Sequence, residues 1–487
     1  MSANLEPSFY PLPSSPTIRV LDRFSLLPDS LTQQLEDSSG YIPFWPLLSH
    51  LLSPPDQHQS NPTVTTFAAL TSLLDTISVT LRDTSHPAGD YALLREAITS
   101  HFGNETDFFT SAWPRIVDMA LEMPVLFPSG QLPILGRGGA EEVVLSRRQA
   151  ACLVVHLFLR TVSTPEWKEE GEGLHDFGIW YAAEGQRQVS AARVYLAAVM
   201  RYLGEVVCGE EGMVGNDEGW VVRYTLRALE EGVFMEMLGK RGCPLREVEV
   251  QVVERYDLSP ASLGVPGGAA VVSANKYIGF GQSATQEEVH VGSSPEACLA
   301  VLFTPPLRDD QVLIVRGAQA MVNITGQRRD IRAEEMPAHD GGVQAWRERT
   351  MLFMDALELD MVEAGTCLPD LLPGKMDREI RKACTAFSSD RFREVRTGLW
   401  GCGAFNGDPG VKMLLLWLAA SLAATRLVIV CDRSDQKFAE EFRIVVDRAK
   451  EVIRDTADLR QLLDQVPRTL VRSQTLPWVR EQLEREQ

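Results

Sequence analysis

The stretch Ala269-Ala270-Val271-Val272-Ser273-Ala274-Asn275-Lys276-Tyr277-Ile278-Gly279-Phe280-Gly281-Gln282-Ser283-Ala284-Thr285-Gln286-Glu287-Glu288 decides the fold class. It opens on a short continuous apolar run, the pattern of a strand buried on both faces. Val312-Leu313-Ile314-Val315 and Leu427-Val428-Ile429-Val430 have the same character, and Val248, Val250 and Val252 alternate with Glu249 and Gln251 as a half-buried strand does. Helix candidates lie between these runs. One opens at Ser294-Pro295, with serine as cap and proline in the first turn; another starts near Asp408-Pro409 and runs through Leu414 to Ala424. Strands alternating with helices predict an α/β layer architecture. Ligands in such sheets lie at the carboxyl ends of strands, which is where residues 275–288 begin.

Outward from this region the pattern changes. Residues 1–60 are rich in proline and serine and read as an irregular wrap. From about 65 to 207 the apolar spacing is helical. Ser146-Arg147-Arg148-Gln149 forms a capping box ahead of an apolar stripe at 150–159, and 191–207 is a second amphipathic run. Residues 209–219, with four glycines and four carboxylates, read as a linker or surface loop. From about 435 the chain is charged and helical, with Phe438, Phe442, Ile444, Val445, Ala449 and Val452 on the apolar face. The expected division is 1–60 irregular, 61–240 a helical accessory domain, 241–435 an α/β catalytic domain and 436–487 a helical extension.

At 487 residues the chain is long enough for two or three packed units. Its densest apolar run, 413–424, is shorter than the roughly 20 residues that span a bilayer, so no membrane partner is expected. The first residues have neither the basic start nor the apolar stretch of a signal peptide, which predicts an intracellular protein, nuclear or cytoplasmic. The eight cysteines contain no C-x-x-C pair and the eight histidines no H-E-x-x-H, so free thiols, no metal site and no cofactor are expected. The formal charge of −19 excludes indiscriminate binding of nucleic acid. An anionic ligand needs local donors that outweigh that field, and backbone N–H groups at helix starts and glycine loops are the cheapest.

A second stretch has that form: Thr397-Gly398-Leu399-Trp400-Gly401-Cys402-Gly403-Ala404-Phe405-Asn406-Gly407-Asp408. Its four glycines feed an apolar helix, yet it is neither a Walker loop nor a Rossmann turn, since G-K-[ST] and G-x-G-x-x-G are both missing. Taken alone it fits a diphosphate cradle and a structural turn equally. Likewise the Glu287-Glu288 pair, taken alone, fits acid–base chemistry less often than a solvated surface.

Together, A-N-x-x-x-G-x-G…Q-E-E and the later T-G-x-W-G-C-G-A-F-x-G-D resemble the poly(ADP-ribose) glycohydrolase family. Leu302-Phe303-Thr304, Leu313-Ile314-Val315, Gly317 and Thr325-Gly326 match as well, and upstream Leu121-x-Met123-Pro124-x-Leu126-Phe127 resembles that family's helical region. The resemblance implies a macrodomain, a three-layer α/β/α sandwich with a mixed sheet, behind a helical accessory domain. It implies metal-independent hydrolysis of ribose–ribose bonds in poly(ADP-ribose), with ADP-ribose as product, a role in the DNA damage response, and a monomer whose partners are the polymer or ADP-ribosylated proteins. Glu288 then corresponds to the catalytic glutamate and Glu287 to the carboxylate on the ribose hydroxyls. Asn275 lies beside the scissile ribose, with Gly279, Gly281 and Gln286 lining the same loop. Gly401, Cys402, Gly403 and Ala404 line the diphosphate loop, and Phe405 holds the distal ribose.

Three positions depart from the family pattern. Phe280 stands in the middle of the expected glycine triplet, with only residues 282–285 before Gln286; Val272 fills an acidic position; Gln327 replaces an adenine-side tyrosine. Two other readings share the fold: removal of single ADP-ribose units from protein side chains, and binding of ADP-ribose polymers without cleavage. Blander roles are expected for His290 (an alternating strand side chain), Cys402 (a small loop residue, not a nucleophile), Trp400 (packing under the loop) and the acidic run 166–172 (solvated surface).

Overall fold

The computed structural model describes residues 8–53, 64–82, 90–168, 175–209, 219–339, 341–363 and 367–485. Most of the expected loop at 209–219, part of the acidic run at 166–172, and the prolines following Ser53 lie outside the described residues.

Eight strands form one mixed sheet. In chain order they are β1 (Glu142–Ser146), β2 (Val221–Ala228), β3 (Val248–Val253), β4 (Ala269–Ala274), β5 (Gln311–Arg316), β6 (Thr350–Asp355), β7 (Glu394–Thr397) and β8 (Arg426–Asp432). Their spatial order is β1-β2-β5-β6-β4-β7-β8-β3. The pairs from β1 to β6 are antiparallel and those from β6 to β3 parallel.

Side-chain alternation along the strands sorts the apolar residues into two cores. Ala270, Val272, Leu313, Val315, Met351 and Phe353 face one layer; Ala269, Val271, Val312, Ile314, Leu352 and Met354 face the other. The first layer holds α1 (Phe67–Arg82), α2 (Ala92–Phe102), α3 (Trp113–Leu121), α4 (Arg147–Phe158), α5 (Val189–Tyr202) and α6 (Gln286–Gly292). The second holds α7 (Lys375–Phe387), α8 (Pro409–Leu422), α9 (Gln436–Val452), α10 (Thr456–Asp464) and α11 (Thr475–Arg485). The α/β/α sandwich with a mixed sheet is therefore as expected.

Local rules hold where both partners are near in sequence. Ser146 and Gln149 form the reciprocal capping box at the start of α4. The expected strands at 248–253, 269–272, 312–315 and 427–430 all lie in the sheet.

Four differences concern long-range packing. The stretch 61–240, expected to be helical as far as 207, supplies β1 and β2, so a division at 240 falls inside the sheet. Val143 and Leu145, and Val222, Tyr224 and Leu226, are buried at every second position, a period-2 signal overshadowed by the helices around it. Residues 1–60 are more than a wrap: Phe9–Pro11 pairs with Gln131–Pro133, and Tyr10, Leu12, Phe44 and Leu47 are buried in the first core. The residues after 435 supply Phe442, Leu459 and Val479 to the second core and complete its layer. The helix expected at Ser294-Pro295 lasts only over Pro295–Cys298 before tightening to a 3-10 turn at Leu299–Leu302.

Candidate active site at the carboxyl ends of the parallel strands

The centre of the sheet opens where β4 and β7 part. β4 pairs with β6 along its whole length, but with β7 only at Ala269 and Ala270. Beyond that point the amide of Gln286 takes the place of a strand. Its Oε1 accepts from Ser273 N–H, and its Nε2 donates to Val271 O at 2.9 Å. Gln286 thereby ties the start of α6 to the sheet and also contacts His290 Nε2 at 3.1 Å. Two parallel neighbours that separate toward their carboxyl ends leave a crevice, the usual ligand position in open α/β sheets.

Residues 286–292 are helical, so His290 is not on a strand as expected. Thr285 and Glu288 form a capping box: Thr285 Oγ1 accepts from Glu288 N–H at 3.3 Å, and Glu288 Oε2 accepts from Thr285 N–H at 3.0 Å. His290 is buried against Tyr256, whose hydroxyl lies 2.7 Å from Nε2, and burial lowers its pKa to about 3. Its burial favours the neutral imidazole near neutrality.

The two glutamates have different surroundings. Glu287, 9% exposed, points back at the end of β4. Its Oε2 accepts from Asn275 N–H at 2.8 Å and its Oε1 from Gly279 N–H at 3.3 Å. Burial pushes its pKa up to about 8 against those two donors, with the neighbouring Glu288 adding to the rise and Lys168 opposing it. Glu288 is half-buried, and its carboxylate accepts from Ser283 N–H (3.2 Å) and from Thr285 Oγ1 (2.8 Å) besides the cap. Gly281 is glycine for Glu288's sake: a Cβ there would lie 2.0 Å from Glu288 Oε1. At Gly279 the nearest atom to such a Cβ is Lys168 Nζ, at 3.4 Å. Asn275 Oδ1 accepts from Tyr277 N–H at 3.0 Å, and Tyr277 is exposed.

The glycine loop at 398–408 leaves the carboxyl end of β7, on the same side of the sheet as 275–285. Gly401 adopts φ +73°, and a Cβ on it would come within 2.8 Å of Ala356 Cβ. Gly401 and Cys402 are buried, whereas Gly403 and Ala404 are exposed. The amides of Gly403, Ala404 and Phe405 donate to no acceptor among the described residues, whereas those of Cys402, Asn406 and Gly407 close turns. A row of free N–H groups ahead of α8 is suited to an anion. Phe405 is half-buried, and its carbonyl accepts from Leu359 N–H at 3.1 Å. Trp400 packs under the loop as expected, its indole N–H donating to Met354 O at 2.9 Å. The Cys402 thiol is pushed up by burial and stays protonated, which fits its discounting as a nucleophile.

Four residues that the sequence reading did not single out support this loop. Asp408 caps α8 through Val411 N–H (2.8 Å) and accepts from Ser473 N–H (2.7 Å), while its own N–H donates to Asp370 Oδ2 (3.0 Å). Lys412, wholly buried, pairs with Glu379 and lies next to Gly401 and Gly407. Glu379 Oε1 also accepts from Leu357 N–H at 3.1 Å, so one ion pair supports the loops after β6 and β7. Arg472 donates to Cys402 O (2.6 Å) and Gly407 O (3.1 Å). Lys412 had a legible signal, being the one charge in an otherwise apolar helix; Asp370, Glu379 and Arg472 are distant in sequence and had none.

The segment with Asn275, Gly279, Glu287 and Glu288 and the loop with Gly403, Ala404 and Phe405 thus follow the carboxyl ends of two neighbouring parallel strands, β4 and β7. Gln286, Gly281, Gly401 and Cys402 are engaged in building those segments. Among the described residues no cluster of His, Cys, Asp or Glu has the form of a metal site.

Comparison with known proteins supplies the same two regions. A family described as "Poly (ADP-ribose) glycohydrolase (PARG), Macro domain fold" matches residues 252–440, and its companion "helical domain" matches 101–222, together more than half of the chain. Poly(ADP-ribose) glycohydrolase 2 of Caenorhabditis elegans is 29% identical over 208 residues, 40% of this chain and 42% of that protein. Poly(ADP-ribose) glycohydrolase 1 of the same organism is 28% identical over 199 residues, 37% of this chain and 25% of that protein. The matches thus span less than half the length of these relatives. A solved poly(ADP-ribose) glycohydrolase from Deinococcus radiodurans in complex with ADP-ribose is 15% identical, covering 43% of this chain and 89% of its own, with a TM-score of 0.29.

Proposed function

The chain belongs to the poly(ADP-ribose) glycohydrolase family, and on that premise we propose that it hydrolyses ribose–ribose O-glycosidic bonds in poly(ADP-ribose), releasing ADP-ribose. What supports this reading is that two adjacent carboxyls and a row of free amides lie on segments that follow the neighbouring parallel strands β4 and β7. The amides of 403–405 take the diphosphate, and Glu287 and Glu288 reach the ribose beyond it.

A ribose oxygen is a poor leaving group until protonated. In this reading Glu288, the more exposed of the pair, gives the proton as an oxocarbenium-like centre develops and takes one back from the attacking water. Ordinary glycosidases divide these tasks between separated carboxylates; here the stabilising charge comes from the substrate's own diphosphate. Glu287, whose pKa burial raises to about 8, is mostly protonated near neutrality, so it spares the diphosphate a repulsive carboxylate and offers the ribose hydroxyls a hydrogen-bonding group.

The experiment is hydrolysis of defined poly(ADP-ribose) by the wild type, Glu288→Gln and Glu287→Gln, with ADP-ribose binding measured alongside. Glu288→Gln is expected to lose at least about a hundredfold in kcat with binding kept. Glu287→Gln replaces a neutral acid by a neutral amide and is expected to retain much of kcat near neutrality. A second assignment within the same function rests on the raised proton affinity of Glu287, which would make that residue the donor. Loss of turnover in Glu287→Gln, with Glu288→Gln still active, selects it. A wild type that binds the polymer but releases nothing is a reader. One that acts only on singly modified proteins belongs to the mono-ADP-ribosyl hydrolases.

A further inference from the structure

The turn that carries the carboxyl pair is fastened from outside the sheet. Phe280, the bulky residue between Gly279 and Gly281, packs its ring on Phe177 (5.8 Å between centroids) and Trp180 (5.1 Å), which are stacked on each other. Trp180 Nε1–H donates to Gly281 O at 2.7 Å, Gln282 Nε2–H to Ile179 O at 3.0 Å, and the Tyr195 hydroxyl to Ser283 O at 2.6 Å. Residues 280–283 are therefore each bound to the helical layer: three of them to the 3-10 turn Phe177–Trp180, and Ser283 to α5.

The same residues hold the carboxylates. Ser283 N–H donates to Glu288, Gly281 lies against its Oε1, and Gly279 N–H donates to Glu287. An unbranched route runs from the Trp180 indole through Gly281 to Glu288, and from the Tyr195 hydroxyl through Ser283 to the same carboxylate. A short turn with no ladder of its own loses backbone order easily. Rigid buried aromatics with one polar atom each are well suited to prevent that.

We infer that Trp180 and Tyr195 are positioning residues of the active site: the helical layer, through an aromatic clamp on residues 280–283, sets the geometry of the acid–base pair. Phe280 is then the plug of the clamp, in place of the flexible glycine expected there. This inference rests on the reading of Glu287 and Glu288 as the reacting pair.

The test uses the full chain and two readouts. Amide hydrogen exchange of 279–288 and steady-state hydrolysis of poly(ADP-ribose) are measured for the wild type, Trp180→Phe and Tyr195→Phe. Trp220→Phe is the control, since it removes a similar indole bond to a remote carbonyl (Gly317 O, 2.9 Å). Loss of one buried hydrogen bond should speed exchange of 279–288 about tenfold in both clamp variants and leave it unchanged in the control. It should also lower kcat about tenfold with KM within about twofold. Unchanged loop exchange in both clamp variants, equal loosening in Trp220→Phe, or a loosened loop with full kcat would each overturn the inference. Should the loop loosen in a protein whose wild type releases nothing from the polymer, the clamp stands and the proposed activity fails.

Discussion

Glu287 and Glu288 are neighbours on the first turn of one helix, yet the turn gives them opposite tasks. The N3 position turns Glu288 back on the Thr285 N–H as a capping box, while N2 sends Glu287 down toward the end of β4. The cost falls on Glu287, a buried carboxyl that accepts from two backbone N–H groups. Its pKa is raised, from 4.5 to about 8. An acid that binds its proton more tightly when folded destabilises the fold as pH rises from the unfolded to the folded value, and adds nothing further above it. Glu287→Gln should therefore gain Tm relative to the wild type. The gain is absent near pH 4, widens by on the order of a few degrees toward pH 8, and is constant beyond. Thermal unfolding across that range checks this, and a difference independent of pH would contradict the burial of Glu287. The T-x-x-E box at Thr285 that opens α6 was missed in the sequence, which placed His290 on a strand. Which of two adjacent glutamates is buried was not legible there, because it depends on where β4 ends.

At the scale of elements, the decisive object is the loop between β7 and α8. Its glycines divide by use. Gly401 is strained for any other residue, with φ +73° and a blocked Cβ position, while a Cβ on Gly403 meets nothing within 4 Å. Gly401→Ala is expected to displace the loop, costing on the order of 1–2 kcal/mol of stability and at least about tenfold in ADP-ribose affinity. Gly403→Ala should leave Tm unchanged and weaken binding alone. Calorimetric titration with ADP-ribose and a melting curve for each separate the two, and full affinity in Gly403→Ala would remove the amide row from the site. The glycine-rich composition and the following helix were visible in sequence. The division between buried and exposed glycines was not, since it is set by Ala356 and Lys412 from other elements.

For the molecule as a whole, two cores lie on opposite faces of one sheet, and the ionic support of the glycine loop lies with the second. Lys412 and Glu379, both buried, join α8 to α7 under the loops of β6 and β7. Removing one partner leaves the other buried charge with a single remaining ion pair, Arg378 for Glu379 and Asp370 for Lys412. Lys412→Met should cost about 3–5 kcal/mol in urea unfolding, and the double variant Lys412→Met/Glu379→Gln should recover part of that loss. A double variant as unstable as the sum of its parts would mean that the two do not act as a pair. With a net charge of −19 the surface offers polyanions little, so the proposed function places anion binding on the local amides of 403–405. By itself the sequence determined the alternation of buried strands and helices, the capping box at Ser146, the two glycine-bearing loops and the family they resemble. Each of these is written in neighbouring residues, where period, cap and turn chemistry act over a few positions. Only the tertiary structure decided that 142–146 and 221–228 enter the sheet and that the ends of the chain complete both cores. It alone showed that Gln286 serves as a strand edge and that Trp180 and Tyr195 hydrogen-bond to the backbone of Gly281 and Ser283. Those outcomes rest on contacts between residues separated in sequence, by 13 positions for Gln286 and Ser273 and by 101 for Trp180 and Gly281, whose partners are chosen by packing and by hydrogen-bond satisfaction rather than by local pattern.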